Sequence, residues 1–281
     1  MNDDGTVNRS ALPAIFNPED LNALEMALQI KDRFGGRVTV VTMGLPAATR
    51  VLRESLFRGA DDAVLVTDMR AAASDTLATS YILSCAVKKM DYDVVLCGRQ
   101  AIDGDTAQVG PQLAEKLNLP QVTYVEAMES LEDGVLTVRR NIGNGWQTVR
   151  TSLPVLLTVV GDANAPRVAA AKCLMKCKNA RSPVEIAQQV KAMNPDAVDA
   201  EIKELTDMQC QKLEAKGLLI KQWNLDDIEA DLAWCGRNGS PTKVHRIQSV
   251  VLAAKESKDI EPTDDGLAAM IHELMDDKII A

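Results

Sequence analysis

The stretch RVTVVTMGLPAATRVLRESLFRGADDAVLVTD (37–68) decides the fold class. Its ends, VTVVTMG and DDAVLVTD, are β-branched apolar runs that suit strands buried on both faces. Between them Val51, Leu52 and Leu56 give a helix an apolar side before Gly59 ends it. A strand, an amphipathic helix and a second strand of this length predict a parallel pair joined by a right-handed crossover. The pattern extends both ways. Downstream, a helix over roughly 75–90 leads to DYDVVLCG (91–98). Upstream, NPEDLNALEMALQIKDRFGG (17–36) opens with Asn17 as cap, Pro18 at the first helical position, and Glu19 and Asp20 opposing the helix dipole. Gly35 and Gly36 end it, and Leu21, Leu24 and Leu28 with Ala23, Ala27, Ile30 and Phe34 make its apolar face. The expectation is an α/β fold, an open parallel sheet with helices on both faces.

After Pro120 the texture changes. QVTYVEAM (121–128), GVLTVRR (134–140) and WQTVRTSLPVLLTVV (146–160) are strand-like, with turn signals at Asp133-Gly134 and Asn144-Gly145, and predict an antiparallel addition. From about 162 the chain is polar and Lys-rich, RVAAAKCLMKCKNARSP (167–183), then helical and acidic, and it ends in DDGLAAMIHELMDDKII (264–280). Residues 166–281 read as an arm or extension of a domain spanning 1–165.

At 281 residues and 46% apolar, the chain can fill a core for one large or two small domains. Its net charge of -9 argues against a general affinity for nucleic acid or anionic lipid, so any anion site is local. No apolar run approaches the ~20 residues of a membrane span, and the N-terminus lacks a signal-peptide core, which predicts a cytoplasmic protein. Six scattered cysteines form no CxxC pair and read as thiols, mostly buried. With His245 and His272 the only histidines, histidine-based nucleophilic chemistry and multi-histidine metal sites are disfavoured. A cofactor has to supply any hard chemistry.

The segment that carries chemistry is LCGRQAIDGDTAQVGP (96–111), a small-residue turn after a buried strand and before the helix AQVGPQLAEKL. In an open parallel sheet, ligands sit at the carboxyl ends of strands, where a helix N-terminus offers backbone N–H groups to phosphate. The same residues also read as an ordinary turn with Asp105 or Thr106 as cap. Asp103 and Asp105, without a third acid or a histidine, predict no metal site. A second cluster, SDTLATS (74–80), opens the preceding helix, with Thr76 and Thr79 nearly on one side and Ser74 as its bland cap. If the two strands are close, one anionic ligand can take hydroxyls from this cluster and N–H groups from the turn. Met43-Gly44 closes an earlier strand and offers a third lip, or simply core packing.

The segments NPEDLNALEMAL, VTVVTMG, RGADDAVLV, DTLATS, LCGRQAIDGDTAQVGP, LPQVT and VRRNIGNGWQTVRTSLPVLLTVV, in this order, resemble the beta subunit of electron-transferring flavoprotein over about residues 5–180. The resemblance implies an adenine-nucleotide-binding α/β domain over 1–165, and a partner-recognition loop and C-terminal arm over 166–281. It implies an alpha subunit carrying a redox FAD as partner. By carry-over, Asn17 to Asp20, Met43 and the stretch Gly98, Arg99, Gln100, Asp103, Gly104, Asp105, Thr106, Ala107, Gln108, Val109 and Gly110 lie on the nucleotide, with Asp75, Thr76 and Thr79 beside it. In conventional members that nucleotide is a structural AMP. DTLATS with GDTAQVGP is similar to the bifurcating branch, in which the beta subunit holds a second FAD that takes a hydride from NADH. One electron then goes to ferredoxin or flavodoxin and the other through the alpha-subunit FAD to a dehydrogenase such as an acyl-CoA dehydrogenase. A stand-alone adenine-nucleotide binder of the same architecture is the competing expectation, although it needs neither the hairpins nor the arm.

Two departures from the family pattern stand out. Members begin with a strand resembling KxVPD, and NDDGTVNRSALPAIF contains no such strand, so the first crossover has no origin. The expectation is a strand missing from this sequence or a gap filled by TVNRSALPAIF (6–16). In RVAAAKCLMKCKN, which resembles the loop that grips a partner dehydrogenase, the apolar anchor is Ala171, ahead of Leu174, Met175 and Lys176. A solvated basic linker is the plain reading of that segment.

Overall fold

A computed structural model describes residues 15–241 and 259–276. The chain divides into two compact units, Met1–Lys243 and Val244–Ala281. The described residues of the second include the helix α8 (Asp264–Asp276), with Asp264 and Asp265 in its first turn.

The first unit opens with α1 (Pro18–Phe34), β1 (Thr39–Met43), α2 (Thr49–Arg58), β2 (Asp62–Val66), α3 (Thr76–Val87), β3 (Val94–Gly98) and α4 (Val109–Leu117). β4 (Gln121–Glu132), β5 (Val135–Asn141), β6 (Trp146–Ser152) and β7 (Val155–Val159) follow. Then come α5 (Ala171–Cys177), α6 (Pro183–Met193), α7 (Asp199–Glu214) and β8 (Lys221–Trp223). The class is α/β with helices on both sides, as the strand and helix alternation predicts. Among the described residues, however, the strands form two sheets rather than one. A parallel sheet has the order β1-β2-β8, and a mixed sheet the order β3-β7-β4-β5-β6. Among the described residues β1 and β3 are therefore both sheet edges. TVNRSALPAIF (6–16), the expected filler of such a gap, lies outside the described residues up to position 14.

The hairpins β4-β5-β6 are antiparallel as expected, and Asp133 and Gly134 turn between β4 and β5 with φ of 49° and 74°. VLLTVV departs from expectation. β7 runs parallel to both β3 and β4, which makes it an inner strand with all five residues buried. β8 was not expected at all, since three residues, KQW, leave no periodic signal.

α1 serves both sheets. Leu24 and Leu28 pack with Leu52 and Leu56 of α2 and Leu65 of β2. Ala23 and Met26, on the neighbouring stripe, pack with Val122 and Val125 of β4 and Leu157 and Val159 of β7. Fully burying a Leu or Met side chain contributes about 1.5–3 kcal/mol, so this helix anchors both layers. Polar pairs extend the contact along its length: Asn22 donates to the Asn164 carbonyl at 2.8 Å, and Arg167 donates to Glu25 at 2.7 Å.

Candidate functional site

The expected site loop leaves β3 at Gly98 and meets the N-terminus of α1 at once. Asn17 is the N-cap residue of α1, yet its side chain does not cap that helix. Its Nδ2 donates to the Gln100 carbonyl at 2.8 Å, and its Oδ1 accepts the Ile102 N–H at 3.0 Å. Asp20 Oδ1 accepts the Gly98 N–H at 2.7 Å, and Glu19 Oε2 accepts the Gln100 N–H at 3.0 Å. The Arg99 guanidinium pairs with Glu19 at 2.8 Å. The approach is close enough to require glycine at 98, where a Cβ would stand 2.6 Å from the Asp20 nitrogen. Burial raises the Asp20 carboxyl, against the lowering effect of the Gly98 N–H. Burial, then the Asp20 charge, pushes the neighbouring Cys97 thiol up to about 12.

The second half of the loop is different. Asp103 to Thr106 are exposed, and Asp105 and Ala107 both take left-handed backbone, with φ of 50° and 52°. Such alternation turns backbone N–H groups into a concave anion cradle. The Asp105 N–H is taken by the Ala101 carbonyl at 2.9 Å. Among the described residues no backbone carbonyl meets the N–H groups of Gly104, Thr106 and Ala107. Neither Asp105 nor Thr106 caps α4. Its N-cap residue is Gln108, which makes no side-chain cap bond, and Asp105 instead accepts from Gln100 Nε2 at 2.7 Å. The first turn of α4 sits tightly on β7, where a Cβ at Gly110 would stand 2.8 Å from Thr158 Cγ2.

α3 delivers the second cluster. Asp75 caps it, accepting the Ala78 N–H at 2.9 Å, whereas Ser74, the residue expected to cap, donates to the Ala71 carbonyl and accepts from Gly236. An acid one position later is the better acceptor for the free N–H groups of a first turn. Thr76 Oγ1 donates to Gln108 Oε1 at 2.8 Å, and Ser80 Oγ to Gln112 Oε1 at 3.2 Å. The N-termini of α3 and α4 thus lie side by side, and their dipoles make one positive rim. Thr79 is half-buried in the same first turn. Met43, half-buried, packs against the cluster that holds Val66, Ile82 and Leu225. The chain matches the Electron transfer flavoprotein domain over residues 4–194. This chain belongs to the electron transfer flavoprotein family.

It is 38% identical over 276 residues to an electron transfer flavoprotein subunit beta of Clostridium acetobutylicum, which covers 98% of this chain and 92% of that one. It is 47% identical over 181 residues to the acryloyl-CoA reductase electron transfer subunit gamma of Anaerotignum propionicum, with 63% and 67% covered. To the caffeyl-CoA reductase-Etf complex subunit CarD of Acetobacterium woodii it is 40% identical over 244 residues, with 86% and 78% covered.

Other residues of this chain complete the picture. Tyr124, which sequence reasoning missed, has a φ of 59° at an irregularity in the β4-β7 pairing, and its ring lies 5.8 Å from the Arg99 guanidinium. No sequence signal marks a bulge of this kind. Ala171, Leu174, Met175 and Lys176 all lie exposed on α5, which is held to the body through the buried Cys177. No group of three potential metal ligands occurs among the described residues, and no described helix is long and apolar enough to cross a membrane. All six cysteines are free thiols, with Cys177 and Cys235 buried and the others half-buried.

Proposed function

We propose that this chain is the beta subunit of a heterodimeric, bifurcating electron-transferring flavoprotein of the cytoplasm, holding an FAD that is reduced by NADH. The observation that carries the reading is the N–H set of Gly104, Thr106 and Ala107, which no backbone carbonyl among the described residues meets, beside Thr76, whose hydroxyl reaches Gln108 at 2.8 Å. A cradle of amides next to two helix N-termini and two threonines suits a pyrophosphate better than a lone metal or an acyl group. Gly104 to Gly110, with Asp75, Thr76 and Thr79, would hold the nucleotide. Bound FAD supplies the hydride-accepting and electron-releasing chemistry, for which the chain offers no side-chain substitute. The protein's part is to bind and orient.

The partners in this reading are an alpha subunit with its own FAD, a dehydrogenase of the acyl-CoA type, and ferredoxin or flavodoxin. The relatives named for acryloyl-CoA and caffeyl-CoA reductases support the dehydrogenase class. Ala171, Leu174, Met175 and Lys176 form the surface offered to it, with Met175 61% exposed. Flavin and nucleotide stoichiometry of the purified heterodimer tests the proposal. Two FAD are expected, and one FAD with one AMP would return the chain to the conventional branch.

A further inference from the structure

We propose that the cleft between α6 and α7 is a binding site for a short aliphatic carboxylate, with Arg181 as the residue that receives the charge. The inference does not depend on the nucleotide reading, since no residue lining this cleft belongs to β3, α3 or α4.

The chain leaves the body at Arg181 and rejoins it at Leu219, which pair as an isolated bridge. There the Arg181 N–H donates to the Leu218 carbonyl at 3.1 Å, and the Ile220 N–H donates to the Arg181 carbonyl at 2.9 Å. Between these points Ser182 and Glu185 form a capping box that starts α6 at Pro183, and α7 packs chiefly on α6. Ile186 and Val190, both buried and four apart on α6, make with Leu213 of α7 the apolar floor of a cleft of about 230 Å³. Its polar lining is one cation and three amides, Arg181 with Asn179, Gln189 and Gln209, and includes no acid. Glu185, the acid nearest to Arg181 in sequence, is engaged elsewhere. Both of its oxygens accept from Arg53 Nη2 at 2.7 Å, and Oε2 also accepts the Ser182 N–H at 3.1 Å. Among the described residues the guanidinium of half-buried Arg181 has neither an ion pair nor a hydrogen bond.

A guanidinium is a planar fork of donors that matches a carboxylate, and amides can meet the lone pairs that remain. The attraction is stronger over an apolar floor than on open surface, because less water screens it. Inorganic phosphate would find the same donors but leave Ile186, Val190 and Leu213 uncovered, whereas a short alkyl chain buries them. The volume is below the ~300–1,000 Å³ of sites for drug-sized ligands, which suits a chain of few carbons.

Methyl NMR of the full chain labelled on methionine tests this, with Met193, which lines the cleft and is 69% exposed, as reporter. Hexanoate should shift the Met193 methyl saturably, and hexanamide, its uncharged analogue, should bind at least about tenfold more weakly. Acetate and inorganic phosphate should give no saturable shift. Arg181→Gln should weaken hexanoate by about tenfold or more, and it leaves the backbone bonds to Leu218 and Ile220 in place. Gln189→Glu, on the exposed side of α6, puts a like charge in the cleft and should weaken hexanoate as much with Arg181 intact. Equal affinity for hexanoate and hexanamide would overturn the proposal, because the cleft would then be an apolar slot alone. So would saturation by phosphate at the same concentrations, or a Met193 methyl that stays unmoved up to about 10 mM hexanoate. If Arg181→Gln fails to fold, Gln189→Glu decides: weakened hexanoate supports the site, and unchanged affinity rejects it.

Discussion

The Gly98 N–H and the Asp20 carboxylate meet at 2.7 Å across 78 positions of sequence. Their contact fixes the start of α1 against the end of β3 with no room for a side chain at 98. Gly98→Ala should therefore cost about 1–3 kcal/mol, because the obstacle is backbone that cannot rotate away. Urea denaturation of parent and variant measures it. An unchanged midpoint would mean that α1 stands further from β3.

Thr106→Val removes a hydroxyl at nearly constant volume from the exposed half of the loop. If that hydroxyl faces phosphate, nucleotide retention should weaken by about 1–3 kcal/mol with fold stability unchanged. Nucleotide released on gel filtration, read against the parent, is the measurement, and equal retention would remove Thr106 from the site.

Cys97 should alkylate slowly at pH 8. Burial, then the Asp20 charge, holds its pKa near 12, well above that of an ordinary thiol, so it stays in the neutral, unreactive form at pH 8. The raised value also sets a sign. Its contribution to stability is complete below about 9, the unfolded value, and is lost as pH rises toward 12. Peptide mapping after iodoacetamide treatment at pH 8 should find Cys97 unmodified until denaturant is added.

Asp68 gives the opposite sign. Hydrogen bonds from Arg70, then those from the Arg70 and Leu225 N–H groups, hold its carboxyl near 2 against an ordinary 3.8. Its stabilising effect is present above pH 3.8 and lost as pH falls through 2. With screening by solvent, Asp68→Asn should cost about 1–2 kcal/mol at pH 6, a difference that shrinks toward zero near pH 2. Thermal melts of both chains across that range check it, and a constant difference would contradict it.

Much of the fold was legible because β1, β2 and β3 are β-branched runs and α1 is framed by Asn17-Pro18 and Gly35. What escaped reading was long-range. Nothing within KQW tells that it will lie beside Leu65, since the pairing is made by the partner strand. Likewise TSLPVLLTVV looks like the return of a hairpin, and only its place between β3 and β4 makes it parallel. At the site, the loop and the threonine cluster were legible from small residues after a strand. The destination of Asn17 was not. A cap residue is recognised by its own helix, and this one bonds a carbonyl 83 positions away.

α1 packs on two sheets at once, and its polar side is bound to the segment after β7, Asn22 to Asn164 and Glu25 to Arg167. Such a helix has no neutral face on which variation can accumulate. Replacing Glu25 alone leaves Arg167 only its outer partner Asp32, and replacing Asn164 alone leaves a half-paired amide. Over evolutionary time these positions can change readily only as pairs, so α1 and the stretch around 164–167 should drift as one unit although more than a hundred residues separate them in the chain.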